Sequence, residues 1–247
     1  MTTLDLNADL GEGIGDDMAM LDIVSSASIA CGGHAGDEDS MRTALRAASL
    51  RGVAVGVHSS FPDRENFGRK RMLLPPDQLD RELRGQITRF LDLADDERVP
   101  VRYVKLHGAL ANMAAEESAI AMVAFAAAKG LQDDLAILAI DNSAQVTVAE
   151  TLGFPVIREA YADRAYQPNG LLVPRSDPGA VLHDPDTIAN RAVRLARQGE
   201  IVAIDGTIIK TAARSLCIHG DTPDAVVIAR AVRGALEAAG VEVRAPF

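Results

Sequence analysis

The sequence predicts an α/β fold: a seven-stranded parallel (β/α) barrel of the TIM type, with a small β-hairpin before the last strand. Three observations predict it. Short, near-continuous apolar runs alternate with amphipathic helical stretches, which implies strands covered on both faces and joined by right-handed crossovers. About seven such units in 247 residues suit a closed barrel better than the runner-up, an open doubly wound sheet. Four of the five histidines, His34, His58, His107 and His219, stand just after a strand-like run, where a barrel would gather them at one end.

Taken in order, the strand-like runs are Thr3–Asp9, Ser28–Gly32, Val53–Val57, Val101–Leu106, Leu135–Ile140, Pro155–Glu159 and Ser215–Ile218. Helical stripes lie between them. Met41, Leu45 and Ala48 follow Asp37, and Leu79, Leu83, Ile87 and Phe90 form a cleaner stripe. Ile120, Val123 and Ala127 form a third, Ile188, Ala192 and Leu195 a fourth, and Ile228, Val232 and Leu236 the last. Thr222 and Pro223 suit the cap and first turn of that last helix. Ala160–Asp184 is long for a plain connection and reads as a lid or rim loop. In "IVAIDGTIIKTA", two β-branched runs flank Asp205–Gly206, a type I′ hairpin signal. No domain boundary is visible, so residues 1–247 read as a single barrel domain.

Composition excludes some partners. A net charge of −10 without a basic run argues against nucleic acid and anionic membranes. No apolar stretch approaches the ~20 residues a membrane span needs, and the N-terminus lacks a signal-peptide layout. The two cysteines, Cys31 and Cys217, lack C-x-x-C spacing and lie inside apolar runs, which fits core positions in a reducing, cytoplasmic compartment.

Parallel strands would place at one face Asn7, Asp9, Glu12, His34, Asp37, His58, Asp63, Lys105, His107, Asp141, Asn142, Glu159, Asp163, Arg164, His219 and Asp221. Imidazoles and carboxylates delivered by different loops are what acid–base work on one reacting centre requires. Asp37 also suits a helix N-cap, and His183 reads as surface. Histidine and carboxylate suit a zinc-like ion, yet no H-E-x-x-H spacing is present, so the metal stays undetermined. No P-loop occurs either.

The stretches Asp5–Asp17, Ser28–Asp37, Gly56–Lys70, Val104–Asn112, Glu159–Arg175 and Cys217–Val226 resemble, in order, those of the 5-oxoprolinase A-subunit family of lactam-utilisation proteins. The resemblance implies a seven-stranded barrel related to glycoside hydrolases and polysaccharide deacetylases. It implies ATP-dependent ring opening of 5-oxo-L-proline to L-glutamate, with two partner subunits, B and C. The chain departs from the usual pattern at Ala8, Gly33, Ser59, Leu106, Ala111 and Tyr161, several of them expected on the pocket wall.

On these grounds Asp9, His34, His107 and His219 are the acid–base candidates, and Asn7, Glu12, His58, Lys105, Arg164 and Asp221 the substrate-binding ones. ATP is the expected co-substrate, with a divalent metal left open. Two other readings stand beside this one: a stand-alone metal-dependent deacetylase or hydrolase, and a non-catalytic lactam-binding subunit.

Overall fold

The computed structural model describes residues 2–220 and 224–247. In chain order the elements are β1 (Thr2–Leu10), α1 (Asp17–Leu21), β2 (Ser26–Ala30), α2 (Glu38–Arg51), β3 (Ala54–Ser59) and α3 (Pro76–Asp96). Next come β4 (Val101–Leu106), α4 (Gly108–Glu116), α5 (Ser118–Ala128), β5 (Ala136–Ile140), α6 (Ala144–Thr151) and β6 (Val156–Tyr161). The chain ends with α7 (Pro185–Gln198), β7 (Glu200–Val202), β8 (Ile208–Lys210), β9 (Ser215–His219), α8 (Ala225–Ala238) and β10 (Val241–Val243). Strands β1 to β6 and β9 pair in parallel, and β9 returns to β1 with Asp5–Asp9 alongside Ser215–His219. The seven-stranded closed barrel is therefore as expected. Unforeseen is β10, which adds in parallel outside the ring against Thr2–Leu4.

The helices begin and end where their caps allow. The Asp37 carboxylate accepts from the Ser40 amide in a capping box, so Asp37 is a cap on α2 rather than a pocket residue. Asp184 caps α7 ahead of Pro185. Helix α5 differs from its expected stripe. It buries Ala121, Ala124, Phe125, Ala127 and Ala128, leaving Ile120 and Val123 only half-buried. This helix is apolar on most of its circumference, so periodicity could not choose its inward face. Thr222 and Pro223, the expected cap and first turn of α8, lie outside the described residues, as does Asp221.

The expected hairpin is present as the antiparallel pair β7–β8, but its turn is not type I′. Ala203 and Thr207 bond across three intervening residues, the Gly206 amide donates to the Ala203 carbonyl, and only Gly206 is left-handed, at φ 89°. That is a type I turn closed by a glycine bulge, since type I′ would need Asp205 left-handed too.

Side-chain alternation along β1 sets the interior. Leu4, Leu6, Ala8 and Leu10 join the aliphatic core against the helices. Asp5, Asn7 and Asp9 point inward, so this barrel is filled by polar layers where branched aliphatics are usual.

Candidate active site

The middle layer is a charge network. Lys105, buried on β4, sits 2.9 Å from both Asp9 and Glu159, and its ammonium also meets Cys217 Sγ at 3.1 Å and Asn7 Oδ1 at 3.3 Å. Asn7 Nδ2 donates to Glu159 and to Ser215. Burial alone would lower the Lys105 pKa, but the carboxylates of Asp9 and Glu159 outweigh it and hold the ammonium charged well above its ordinary range. Burial would likewise raise Asp9, yet His58 and Lys105 hold it well below the carboxylate range. Cys217, expected in the hydrocarbon core, instead faces this network, and burial first and then Asp9 keep its thiol protonated.

Above this layer four histidines open onto the C-terminal end of the barrel. His34 Nε2 meets Glu12 Oε1 at 2.9 Å, and the His34 and His107 rings stack with centroids 3.6 Å apart. His107 Nδ1 lies 3.0 Å from His58 Nε2 and 3.5 Å from Glu12. His58 Nε2 lies 3.4 Å from Asp9. Burial, then His58, lowers the His34 pKa to about 2, and burial, His34 and His58 push His107 down as well, so both rings are neutral. The ligand atoms of Glu12, His34, His58 and His107 all lie within 4.8 Å of one another, a nitrogen-and-oxygen donor set that suits a zinc-like ion.

The loop between β3 and α3 covers this cluster. Phe67 stands at φ 54°, costly for a bulky residue, and its carbonyl lies 3.0 Å from His107 Nε2. Gly68 follows at φ 65°, and a Cβ there would fall 2.8 Å from His34 Cβ and 2.9 Å from His107 Cδ2. Only glycine lets this backbone lie on the stacked rings.

Across the mouth, His219 Nδ1 meets both Asp163 oxygens at 2.9 and 3.0 Å, and Tyr161 stacks on its ring. Burial would raise Asp163, but His219, Arg175 and Arg164 hold it ionised. A carboxylate at Nδ1 fixes the proton there and leaves Nε2 as the basic nitrogen of the neutral ring. Between the two clusters runs a cleft of about 410 Å³, lined by Asp9, His58, His107, Tyr161 and His219 and by four arginines, Arg69, Arg71, Arg164 and Arg175. Volume of this order accommodates a small molecule.

The rim loop folds Arg164 inward, where the carbonyls of Val173 and Ala180 hold its guanidinium. Burial and Arg175 lower the Arg164 pKa to about 10, still fully charged at neutral pH.

The predicted candidates thus separate. Asp9, His58, His107, His219 and Arg164 line the cleft; His34 and Glu12 lie behind His107; Asn7 and Lys105 belong to the charge layer beneath. Sequence reasoning passed over Arg69, Arg71 and Arg175 as cleft residues. Arg69 and Arg71 lie at the end of the Gly56–Lys70 stretch or just past it, and Arg175 ends Glu159–Arg175, so the signal was their place in or beside those segments. His183 is exposed and away from the cleft, in keeping with a surface position.

The profile of the LamB/YcsF family matches residues 4–247. The chain belongs to the LamB/YcsF family. It is 44% identical over 252 residues to a 5-oxoprolinase A-subunit of Pseudomonas syringae pv. tomato, the third so named there, covering 100% of this chain and 98% of that one. It is 46% identical to the 5-oxoprolinase A-subunit of Streptomyces griseus, covering 98% and 99%. The crystal structure of a lactam utilization protein from Thermus thermophilus superposes with TM-score 0.92 at 40% identity, over 98% of this chain and 99% of that chain. A deacetylase solved with substrate superposes at TM-score 0.52 with 12% identity, a likeness of fold alone. No helix among the described residues is long and apolar enough to cross a membrane.

Proposed function

We propose that this LamB/YcsF chain opens 5-oxo-L-proline to L-glutamate as the hydrolytic component of an ATP-dependent, multi-subunit 5-oxoprolinase. The observation that carries this reading is a single cleft in which an Asp163-oriented imidazole shares the walls with four arginines. The names of the full-length relatives supply the substrate. A cytoplasmic site of action is supported by two free, buried cysteines.

A lactam amide is resonance-stabilised and its ring re-forms readily, so opening it needs a driven step. Transfer of the terminal phosphoryl group of ATP to the lactam oxygen, a step we give to the partner subunits B and C, turns the amide into an imidate phosphate. His219 then removes a proton from water as the water oxygen bonds to the ring carbon, and passes that proton to the ring nitrogen. Collapse of the adduct transfers the hydroxyl proton to the same nitrogen as the C–N bond breaks. This leaves an acyl phosphate of glutamate, and a second water releases inorganic phosphate. Arg164 and Arg175 hold the substrate's carboxylate and phosphoryl oxygens through charge-assisted hydrogen bonds. Asp9, held ionised, supplies fixed negative charge rather than a proton, and Asn7, Lys105, Glu12 and His34 position the residues that line the cleft.

The assay follows glutamate and ADP when the chain is mixed with 5-oxoproline and ATP, with and without the partner subunits. His219→Ala is expected to cut turnover by about 10²-fold or more, the usual worth of a general base. Full activity in that variant overturns the assignment. The Glu12 and histidine cluster favours the stand-alone metal-dependent hydrolase as second reading, and glutamate formed without ATP would select it.

A further inference from the structure

The geometry points to a metal site: Glu12, His34, His58 and His107 bind one divalent ion of the zinc class in a tetrahedral three-nitrogen, one-oxygen set. The proposal goes beyond ring opening and does not depend on it.

Hydrogen bonding on the far side of two rings carries the argument. His107 Nε2 faces the Phe67 carbonyl at 3.0 Å, and a carbonyl can only accept, so the ring proton sits on Nε2 and Nδ1 is bare. Ser60 gives its hydroxyl proton to the Phe61 carbonyl at 2.9 Å, so at 3.0 Å it accepts from His34 Nδ1, which leaves His34 Nε2 bare. Both bare nitrogens turn toward the Glu12 carboxylate, His34 Nε2 at 2.9 Å and His107 Nδ1 at 3.5 Å. Between His34 Nε2 and Glu12, acceptor thus faces acceptor, an arrangement that repels unless a cation lies between. His58 Nε2 closes the set 3.0 Å from His107 Nδ1.

Size agrees with this. Zinc bonds to imidazole and carboxylate of about 2.0–2.1 Å place tetrahedral ligand atoms about 3.3 Å apart; three of the six edges, at 2.9, 3.0 and 3.5 Å, bracket that value, and all four ligand atoms lie within 4.8 Å of one another. Imidazole nitrogen with a single carboxylate suits zinc better than the all-oxygen shells of calcium or magnesium. The Phe67 carbonyl and the Ser60 hydroxyl are the outer partners that orient a ligating histidine and fix its tautomer. When bound, the ion would supply a positive charge beside the cleft.

The experiment titrates Zn²⁺ and Co²⁺ into the chelator-stripped full-length chain, read by calorimetry, by the visible bands of tetrahedral Co²⁺, and by melting temperature. The expected result is one ion per chain, a tetrahedral Co²⁺ spectrum and a raised melting temperature. Glu12→Gln and His34→Ala should each weaken affinity by at least about 100-fold, and Ser60→Ala, which removes only an outer partner, by about 10–100-fold. His219→Ala should bind as the unaltered chain does. If His34→Ala does not fold, Glu12→Gln and Ser60→Ala still decide the matter. Absence of saturable binding, or binding unchanged in Glu12→Gln and Ser60→Ala, overturns the proposal. The readout needs neither ATP nor 5-oxoproline, so its failure would leave the ring-opening reading intact, and failure of the turnover assay would leave the metal site intact.

Discussion

At the floor of the barrel, Asp5 is buried like the polar groups at its mouth, and its carboxylate accepts hydrogen bonds from Ser25, Ser26 and Ser215. Tyr103 and Ser28 complete that layer with a hydroxyl pair at 3.2 Å. The mouth is arranged otherwise. Among the described residues His58 Nδ1 and Ser59 Oγ, adjacent at the top of β3, are buried with no hydrogen-bond partner, and in the tautomer proposed above His34 turns a bare nitrogen toward a carboxylate. Buried polar groups are nearly always satisfied, so the unsatisfied layer is the one built to receive something else. Burial does not separate structural from functional polar groups in this barrel. Satisfaction does.

The sharpest way to break the contrast is to remove the cation that joins the two layers. Lys105→Ala would leave Asp9 and Glu159 as buried carboxylates facing no ammonium, and is expected to cost about 3–5 kcal/mol in urea denaturation. An unchanged unfolding midpoint would mean that water replaces the ammonium and that the layer is not a closed network. A smaller effect, on rate more than on fold, is expected from Asp163→Asn. It keeps the shape but no longer holds the proton on His219 Nδ1, and turnover should fall by about 10²-fold, equal to about 2.7 kcal/mol of barrier, a larger loss than the one read from the unfolding midpoint. Equal losses of stability and activity would make Asp163 a structural residue of the rim loop.

Strand–helix alternation made the barrel legible, because strands buried on both faces and amphipathic helices write different periods into the chain. The convergence of His58, His107 and His219 followed from that topology alone. The metal-like set did not. Glu12, His34, His58 and His107 are separated by 22, 24 and 49 positions, each supplied by a different strand end or the loop after it, so no compact spacing motif exists to find. The place of Lys105, read from the sequence as a substrate-binding residue, in the charge layer was hidden for a related reason. Strand alternation tells which face a side chain occupies, but not that Asp9 and Glu159 would already have claimed its charge. The Asp205–Gly206 pair signalled a hairpin correctly, and the count of intervening residues, three instead of two, was decided by the pairing of Ala203 with Thr207.

The finest test sets the two layers against each other by acid. Burial above all, only partly offset by the three serines, raises Asp5 above its ordinary value of 3.8. The folded state then binds more protons than the unfolded one, so this group's contribution to stability falls as pH rises from 3.8 through the folded value. Asp163 is displaced the other way: burial opposes its ionisation, but His219, Arg175 and Arg164 prevail. Its stabilisation is complete above 3.8 and disappears as pH falls through the folded value. Unfolding free energies of the unaltered chain minus those of Asp5→Asn, plotted against acid pH, should therefore slope downward, and the same difference for Asp163→Asn upward. Each slope is limited to about 1.4 kcal/mol per pH unit, the value for a single proton. Two slopes of the same sign would mean that the floor and the mouth present one electrostatic environment, and the distinction between a satisfied layer and a receptive one would not hold.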